Sequence, residues 1–166
     1  GKTTFAKVLL KELQVDDGDV MFINASSENN VDTMRTKING FASSLPFSGD
    51  FKYVLLDESD YLSQNAQAIL RNMMETYSTT CRFILTCNYP NKVIPAIHSR
   101  CQGYHIEKLD TNEFTARVAE ILITEEVKPD LETLDIYVRS TYPDLRKCIN
   151  MVQQNIVDGT LQQPGQ

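Results

Sequence analysis

Long apolar runs are missing from this chain: no stretch approaches the roughly 20 consecutive residues needed to span a bilayer. No signal peptide is visible, although a sequence that opens on Gly1 gives no reading of a leader. Histidine is scarce, with 2 residues, and none of the four cysteines (Cys81, Cys87, Cys101, Cys148) forms a C-x-x-C pair. That argues against a zinc site, and scattered thiols suit a reducing cytoplasm. A basic excess is also missing. The net charge is −6, and acids outnumber bases in both residues 1–107 and 108–166. A stand-alone nucleic-acid binder is usually basic, so any DNA contact must come from a local cluster or from an assembly of several chains. What is present is 42% hydrophobic residues over 166 positions, enough for a real core and too many for wholesale disorder.

Residues 3–13 read as a helix, with Phe5, Val8, Leu9 and Leu13 on one face. Val20–Ile23 is a short apolar run of the kind found in buried strands. A second helix is expected from Val31 through Met34, Ile38, Phe41 and Ala42, followed by a loop with Pro46 and Gly49. Tyr53–Leu56 is the next strand. The cleanest helical stripe is Ala66, Ile69, Leu70, Met73, Met74 and Tyr77, with Ser63 as N-cap. Phe83–Leu85 forms a third strand, and a short strand is expected around Tyr104–Ile106. Helices alternating with buried strands predict an α/β fold with a parallel sheet covered by helices, whose ligands sit at the carboxyl ends of the strands. After Leu109 the strand signal disappears. Stripes at Phe114–Leu122, Leu131–Val138 and Leu145–Ile156, the last with Pro143 in its first turn, predict a small three-helix domain over 108–166.

The chemistry begins at Gly1-Lys2-Thr3-Thr4. This is the closing half of a phosphate-binding loop, G-x-x-x-x-G-K-[ST]; its first half and a preceding strand would lie before residue 1. In such a loop the backbone N–H groups wrap the phosphates, Lys2 reaches the outer ones and Thr3 holds Mg²⁺. The tetrapeptide alone is weak evidence. Some fifty residues on, Asp57-Glu58-Ser59-Asp60 ends an apolar strand. Asp57 is placed to hold Mg²⁺ through water and Glu58 to take a proton from an attacking water. By themselves these would be solvated loop acids; the pairing with G-K-T-T favours an ATPase. Thr86-Cys87-Asn88, at the third strand's end, offers a polar side chain for the water or the γ-phosphate, or is simply a turn. Arg100 could donate charge to a phosphate, for which a planar guanidinium is suited, or be a surface arginine. Arg146, in Asp144-Leu145-Arg146-Lys147, is ambiguous in the same way.

Together these residues resemble the AAA+ ATPases, and within them the sliding-clamp loaders. Phe22-Ile23-Asn24-Ala25-Ser26, Leu56-Asp57-Glu58-Ser59-Asp60, and the run from Thr86-Cys87-Asn88-Tyr89 to Ser99-Arg100-Cys101 carry the likeness, which covers nearly the whole chain. Tyr142–Lys147 is most similar to the loader ATPase subunit of T-even-type bacteriophages, with the small subunits of replication factor C close behind. The resemblance implies a P-loop AAA+ domain over 1–107 and a helical lid over 108–166, without the loaders' collar domain. It implies ATP and Mg²⁺ as cofactors, with Gly1, Lys2, Thr3, Thr4, Asp57 and Arg146 at the nucleotide and Thr3 and Asp57 at the metal. It makes Asn88 sensor 1, Arg146 sensor 2, and Arg100 an arginine finger acting in trans. Asn24 becomes the partner that parks the base Glu58 until DNA binds. The implied partners are other loader subunits, a ring-shaped clamp and primer–template DNA, in a cytoplasm or nucleus. One departure is the pair Asn29-Asn30 where loaders usually carry a basic residue that senses DNA; that relay is lost or moves to Arg35 or Lys37.

Two rivals remain. A non-hydrolysing assembly subunit would donate Arg100 to a neighbour, but Lys2, Thr3, Asp57 and Glu58 are all present. A DExD-box helicase needs a second RecA-like domain, for which the region after Leu109 is too short. With half of the phosphate loop outside the sequence, the chain by itself is expected to bind ATP poorly.

Overall fold

The computed structural model describes residues 1–28, 30–107, 109–128 and 130–165. They form two compact units, Gly1–Ile106 and Glu107–Gln166.

In the first unit α1 (Lys2–Glu12), β1 (Val20–Asn24), α2 (Val31–Ala42), β2 (Lys52–Asp57), α3 (Gln64–Thr76), β3 (Cys81–Leu85) and the one-turn α4 (Pro95–His98) follow in order. The strands form a parallel sheet in the order β1-β2-β3, with Asn24 opposite Asp57 and Leu56 opposite Leu85. Parallel neighbours need a crossover, and the two helices α2 and α3 supply it. Val54, Leu55 and Leu56 of the central strand are fully buried. Val54 and Leu56 form one core with Ile23, with Met34 and Ile38 of α2 and with Ala66, Leu70 and Met73 of α3. Side chains start both helices, at Ser63 as the sequence predicts and at Asn30 as it does not. Ser63 accepts the Ala66 N–H at 3.1 Å, and Asn30 accepts the N–H groups of Asp32 and Thr33 at 3.0 and 3.1 Å, satisfying orphan donors of the first turn.

Two expectations fail in this unit. The stripe Phe5, Val8, Leu9 and Leu13 of α1 is 40–54% exposed, and Ala6 and Leu10 are the buried residues. Periodicity identifies a face but not the neighbour that would cover it. No strand forms at Tyr104–Ile106. A strand exists through its pairing, these residues join no described ladder, and Tyr104 is 73% exposed.

The second unit packs α5 (Thr111–Thr124), α6 (Leu131–Thr141) and α7 (Leu145–Gln154) around Phe114, Val118, Leu134, Tyr137, Cys148 and Val152. Two details differ from the sequence reading. Pro143 lies outside α7, because the Asp144 carboxylate caps that helix by accepting the Lys147 N–H at 3.0 Å. Ile156 is not in the helix either. It opens a hairpin of β4 (Ile156–Val157) and β5 (Thr160–Leu161). Asp158 and Gly159 at its tip both have positive φ, 50° and 75°, the conformation a tight two-residue turn demands.

Asp19 fixes the approach to β2. Its side chain is fully buried, and its two oxygens accept the N–H groups of Phe47 at 2.7 Å and Ser48 at 3.0 Å. The loop after α2 is thereby tied down while Leu45 and Phe47 stay exposed. Asp19→Ala is expected to cost about 1–3 kcal/mol, because bonds to a charged acceptor are lost. Urea unfolding measures that cost, and limited proteolysis should locate new cleavage in 43–50.

Candidate functional site

The strands deliver polar residues to one end of the sheet. Ala25 N–H donates to Asp57 C=O at 2.9 Å, Thr86 N–H to Leu56 C=O at 2.9 Å and Ser59 N–H to Thr86 C=O at 2.8 Å. These bonds extend the ladder past the strand ends and hold Asn24, Asp57 and Thr86 side by side.

Asp57 is the hub. Its Oδ1 accepts the Thr3 hydroxyl at 2.6 Å, from a residue 54 positions away, and also accepts the Thr86 hydroxyl in a short bond. The Thr86 oxygen in turn accepts the Glu58 N–H at 3.1 Å. The N-terminus of α1 therefore meets the ends of β2 and β3. Gly1 is its N-cap, no side chain caps it, and its first turn holds no acid. The free N–H groups and positive end of the helix dipole are left for an anion.

Glu58 follows directly and sits in the left-handed region at φ 56°, ψ 46°. That conformation turns the chain out of the strand direction at the catalytic candidate. It is uncommon for a residue with a side chain, and strained conformations of this kind cluster at functional sites as well as in turns. The Asp60 carboxylate, largely buried, accepts the N–H groups of Asn88 at 3.2 Å and Tyr89 at 3.0 Å. It fixes the backbone of the loop on which the Asn88 side chain is exposed.

Cys87 reports what surrounds the site. Burial pushes its thiol pKa up, the nearby Asp60 charge adds to that, and the Lys2 ammonium opposes it. Lys2 and Asp60 thus lie near the same thiol, beside the residues that Asp57 gathers. The oxygens of Thr3 and Asp57 converge closely enough, and are hard enough donors, to suit Mg²⁺.

The Asn24 side-chain oxygen accepts the Ser26 N–H at 2.9 Å and the Ser26 hydroxyl at 2.6 Å, and among the described residues no bond joins Asn24 to Glu58. Arg100 bonds to Glu75 of α3. Arg146 is exposed in the first turn of α7, in the second unit. Asn29 lies outside the described residues; Asn30 is a helix cap, Lys37 pairs with Glu28 at 2.5 Å and Arg35 is exposed.

Three contributors escaped the sequence reading. Thr86 was visible in Thr86-Cys87-Asn88, but the side chain brought to Asp57 is the threonine's, not the asparagine's. Asp60 was legible only as part of an acidic cluster. Gln67 is 2% exposed; its amide N–H₂ donates to the carbonyls of Leu62 and Lys92, both at 3.0 Å. Its oxygen accepts the Ile94 N–H at 2.7 Å, so α3 is tied to the segment that starts α4. A glutamine inside an apolar helix stripe is the signal that could have revealed it.

The profile of the family described as "DNA polymerase III, delta subunit" matches residues 8–110. Replication factor C small subunit of Methanococcus vannielii is 41% identical over 157 residues, 92% of this chain and 50% of that protein. The Methanoregula boonei counterpart is 40% identical over 169 residues, covering 99% and 52%. The chain spans about half the length of these relatives. Among solved structures, the Thermotoga maritima RuvB Holliday junction branch migration motor superposes with a TM-score of 0.73 at 15% identity, over 93% of this chain and 51% of that one. At that identity the likeness speaks for the fold alone, an AAA+ parallel sheet flanked by helices, with further helices at the C-terminus.

Lys2→Met is expected to raise the Cys87 pKa further, by removing the cation that favours the thiolate. Alkylation of Cys87 at pH 8, followed by peptide mass spectrometry, should slow relative to Cys101. An unchanged rate would mean that Lys2 does not stand beside this thiol.

Proposed function

The chain belongs to the DNA polymerase III delta subunit family, and from that premise we propose that it is the nucleotide-binding and lid portion of a longer sliding-clamp loader ATPase subunit. The whole protein would load a ring-shaped clamp onto primer–template DNA with DNA-stimulated ATP hydrolysis, in a complex with other loader subunits. The observation that carries this reading is the Thr3–Asp57 bond at 2.6 Å. Two motifs far apart in sequence meet where a phosphate-bound Mg²⁺ needs a hydroxyl and a carboxylate.

On this reading Gly1, Lys2, Thr3 and Thr4 supply backbone and ammonium donors to the ATP phosphates. Thr3 and Asp57 hold Mg²⁺, which neutralises charge building up on the phosphates. Thr86 keeps the Asp57 carboxylate oriented through its hydroxyl. Glu58 is the general base toward water, and Asn88, on the loop braced by Asp60, is sensor 1. Arg146 is assigned as sensor 2 from the helical lid, and Arg100 as the finger toward a neighbouring subunit's ATP. Asn24 fits the switch role only through its side-chain N–H₂, since Ser26 already occupies its oxygen. An amide N–H₂ is the right group to hold a carboxylate.

The second reading, a subunit that donates Arg100 without hydrolysing ATP, is opposed by the complete set Lys2, Thr3, Asp57 and Glu58. Glu58→Gln in the full-length subunit separates the two. Turnover is expected to fall by about 10²–10⁴-fold, the usual share of a general base, while fluorescent-nucleotide titration shows ATP binding retained. Unchanged turnover would remove Glu58 from catalysis.

A further inference from the structure

The surroundings of Arg100 contain a residue that neither the motifs nor the nucleotide site uses. Arg100 Nε donates to Glu75 Oε1 at 2.9 Å, and Nη2 donates to the same oxygen in a short bond. Nη1 donates to the Ala96 carbonyl at 2.9 Å and, more weakly, to the Ser99 hydroxyl at 3.4 Å. The carboxylate therefore grips one side edge of the guanidinium. With five N–H donors in a planar fork, the group keeps a second Nη2–H, and the Arg100 side chain is still 29% exposed.

The frame behind this pair is stiff. Glu75 stands on α3, which is anchored by the buried Leu70 and Met73, and Arg100 follows α4, anchored by the buried Ile97. Gln67 of the same α3 bonds to Lys92 and Ile94 at the start of the α4 segment. One helix thus holds that segment at both ends, through Gln67 before it and Glu75 after it.

We propose that Glu75 is the positioning residue of the Arg100 finger: it fixes one edge of the guanidinium so that the remaining Nη2–H is presented to a phosphate. The proposal rests on the reading of Arg100 as a finger in trans. The opposite role, a lock that withholds Arg100, asks too much of this contact. A solvent-exposed ion pair is weak and screened, whereas a finger on a transferring phosphoryl group is worth roughly 10³–10⁵ in kcat. The pair yields to the phosphate in any direct competition, so its role is orientation before the phosphate arrives. Arg71, one helical turn before Glu75, lies close enough to act on the Glu75 carboxylate electrostatically. With two cations around one anion, the cluster stays attractive to phosphate.

The test uses full-length subunits in mixed assemblies, with the substituted subunit placed beside a wild-type ATP site. Arg100→Ala should lower turnover at that neighbouring site by roughly 10³-fold or more. Glu75→Ala should lower it by about 10- to 100-fold, the scale of a misplaced catalytic group, with the KM for ATP unchanged. Glu75→Gln keeps an acceptor oxygen and should recover most of the loss. The double variant Glu75→Ala/Arg100→Ala should be no slower than Arg100→Ala alone, because Glu75 acts only through Arg100. Thermal melts of both Glu75 variants check that the fold is kept. Raised turnover in Glu75→Ala would establish the lock instead; equal turnover, or losses that multiply in the double variant, would overturn positioning. If Arg100→Ala itself leaves the neighbouring site unaffected, the finger reading fails and this proposal fails with it.

Discussion

A single carboxylate oxygen, Oδ1 of Asp57, accepts hydroxyls from two residues that arrive from opposite directions in sequence. Thr3 comes from the first turn of α1, and Thr86 from the end of β3. Without the parallel register that puts β2 between β1 and β3, these groups would not meet, and without the buried Val54–Leu56 run the register would have nothing to hold it. A one-residue slip would turn Asp57 to the other face and take it out of line with Asn24. The polar end of the sheet thus depends on the apolar middle.

The same economy recurs further out. Asp19, Asp60 and Gln67 are buried polar residues, and each binds the backbone of a loop rather than another side chain. Burying such a group is costly unless it is hydrogen-bonded. A loop that breaks away from its anchor leaves a desolvated acceptor or amide behind, which is a strong reason for the loop to stay. The segments 45–48 and 88–89 have little apolar burial of their own, so the side chains of Asp19 and Asp60 do much to set their positions; 92–94 is held both by Gln67 and by the buried Val93.

Much of this was legible in the sequence because the signals were local. The three strands, the helices α2 and α3, the Ser63 cap and the acidic end of β2 follow from periodicity and cap chemistry. The pairing of G-K-T-T with Asp57 follows from motif chemistry and spacing. What was hidden required knowing the neighbour. The α1 stripe obeys helical spacing yet is open to solvent, and Tyr104–Ile106 has strand-forming residues but no described strand to pair with. Ile156 continues the spacing of α7, but Asp158-Gly159 is a strong hairpin signal two residues later and outweighs it. Asn88 and Thr86 were visible as a group, but only the geometry tells which of their side chains reaches Asp57. The Arg100–Glu75 pair spans 25 residues and two elements, and nothing in either local sequence announces it.

Glu58 carries a further implication. Its left-handed backbone, at φ 56°, is a conformation that glycine adopts at no steric cost and other residues adopt with strain. Measured by folding alone, glycine would be the better occupant of this position. The chain instead keeps a long, charged side chain at a place where the backbone resists one. Thermal robustness and the proposed role of Glu58 as base therefore make opposing demands on one residue, so a search for hardier variants of this protein would be drawn toward the substitution that removes the carboxylate.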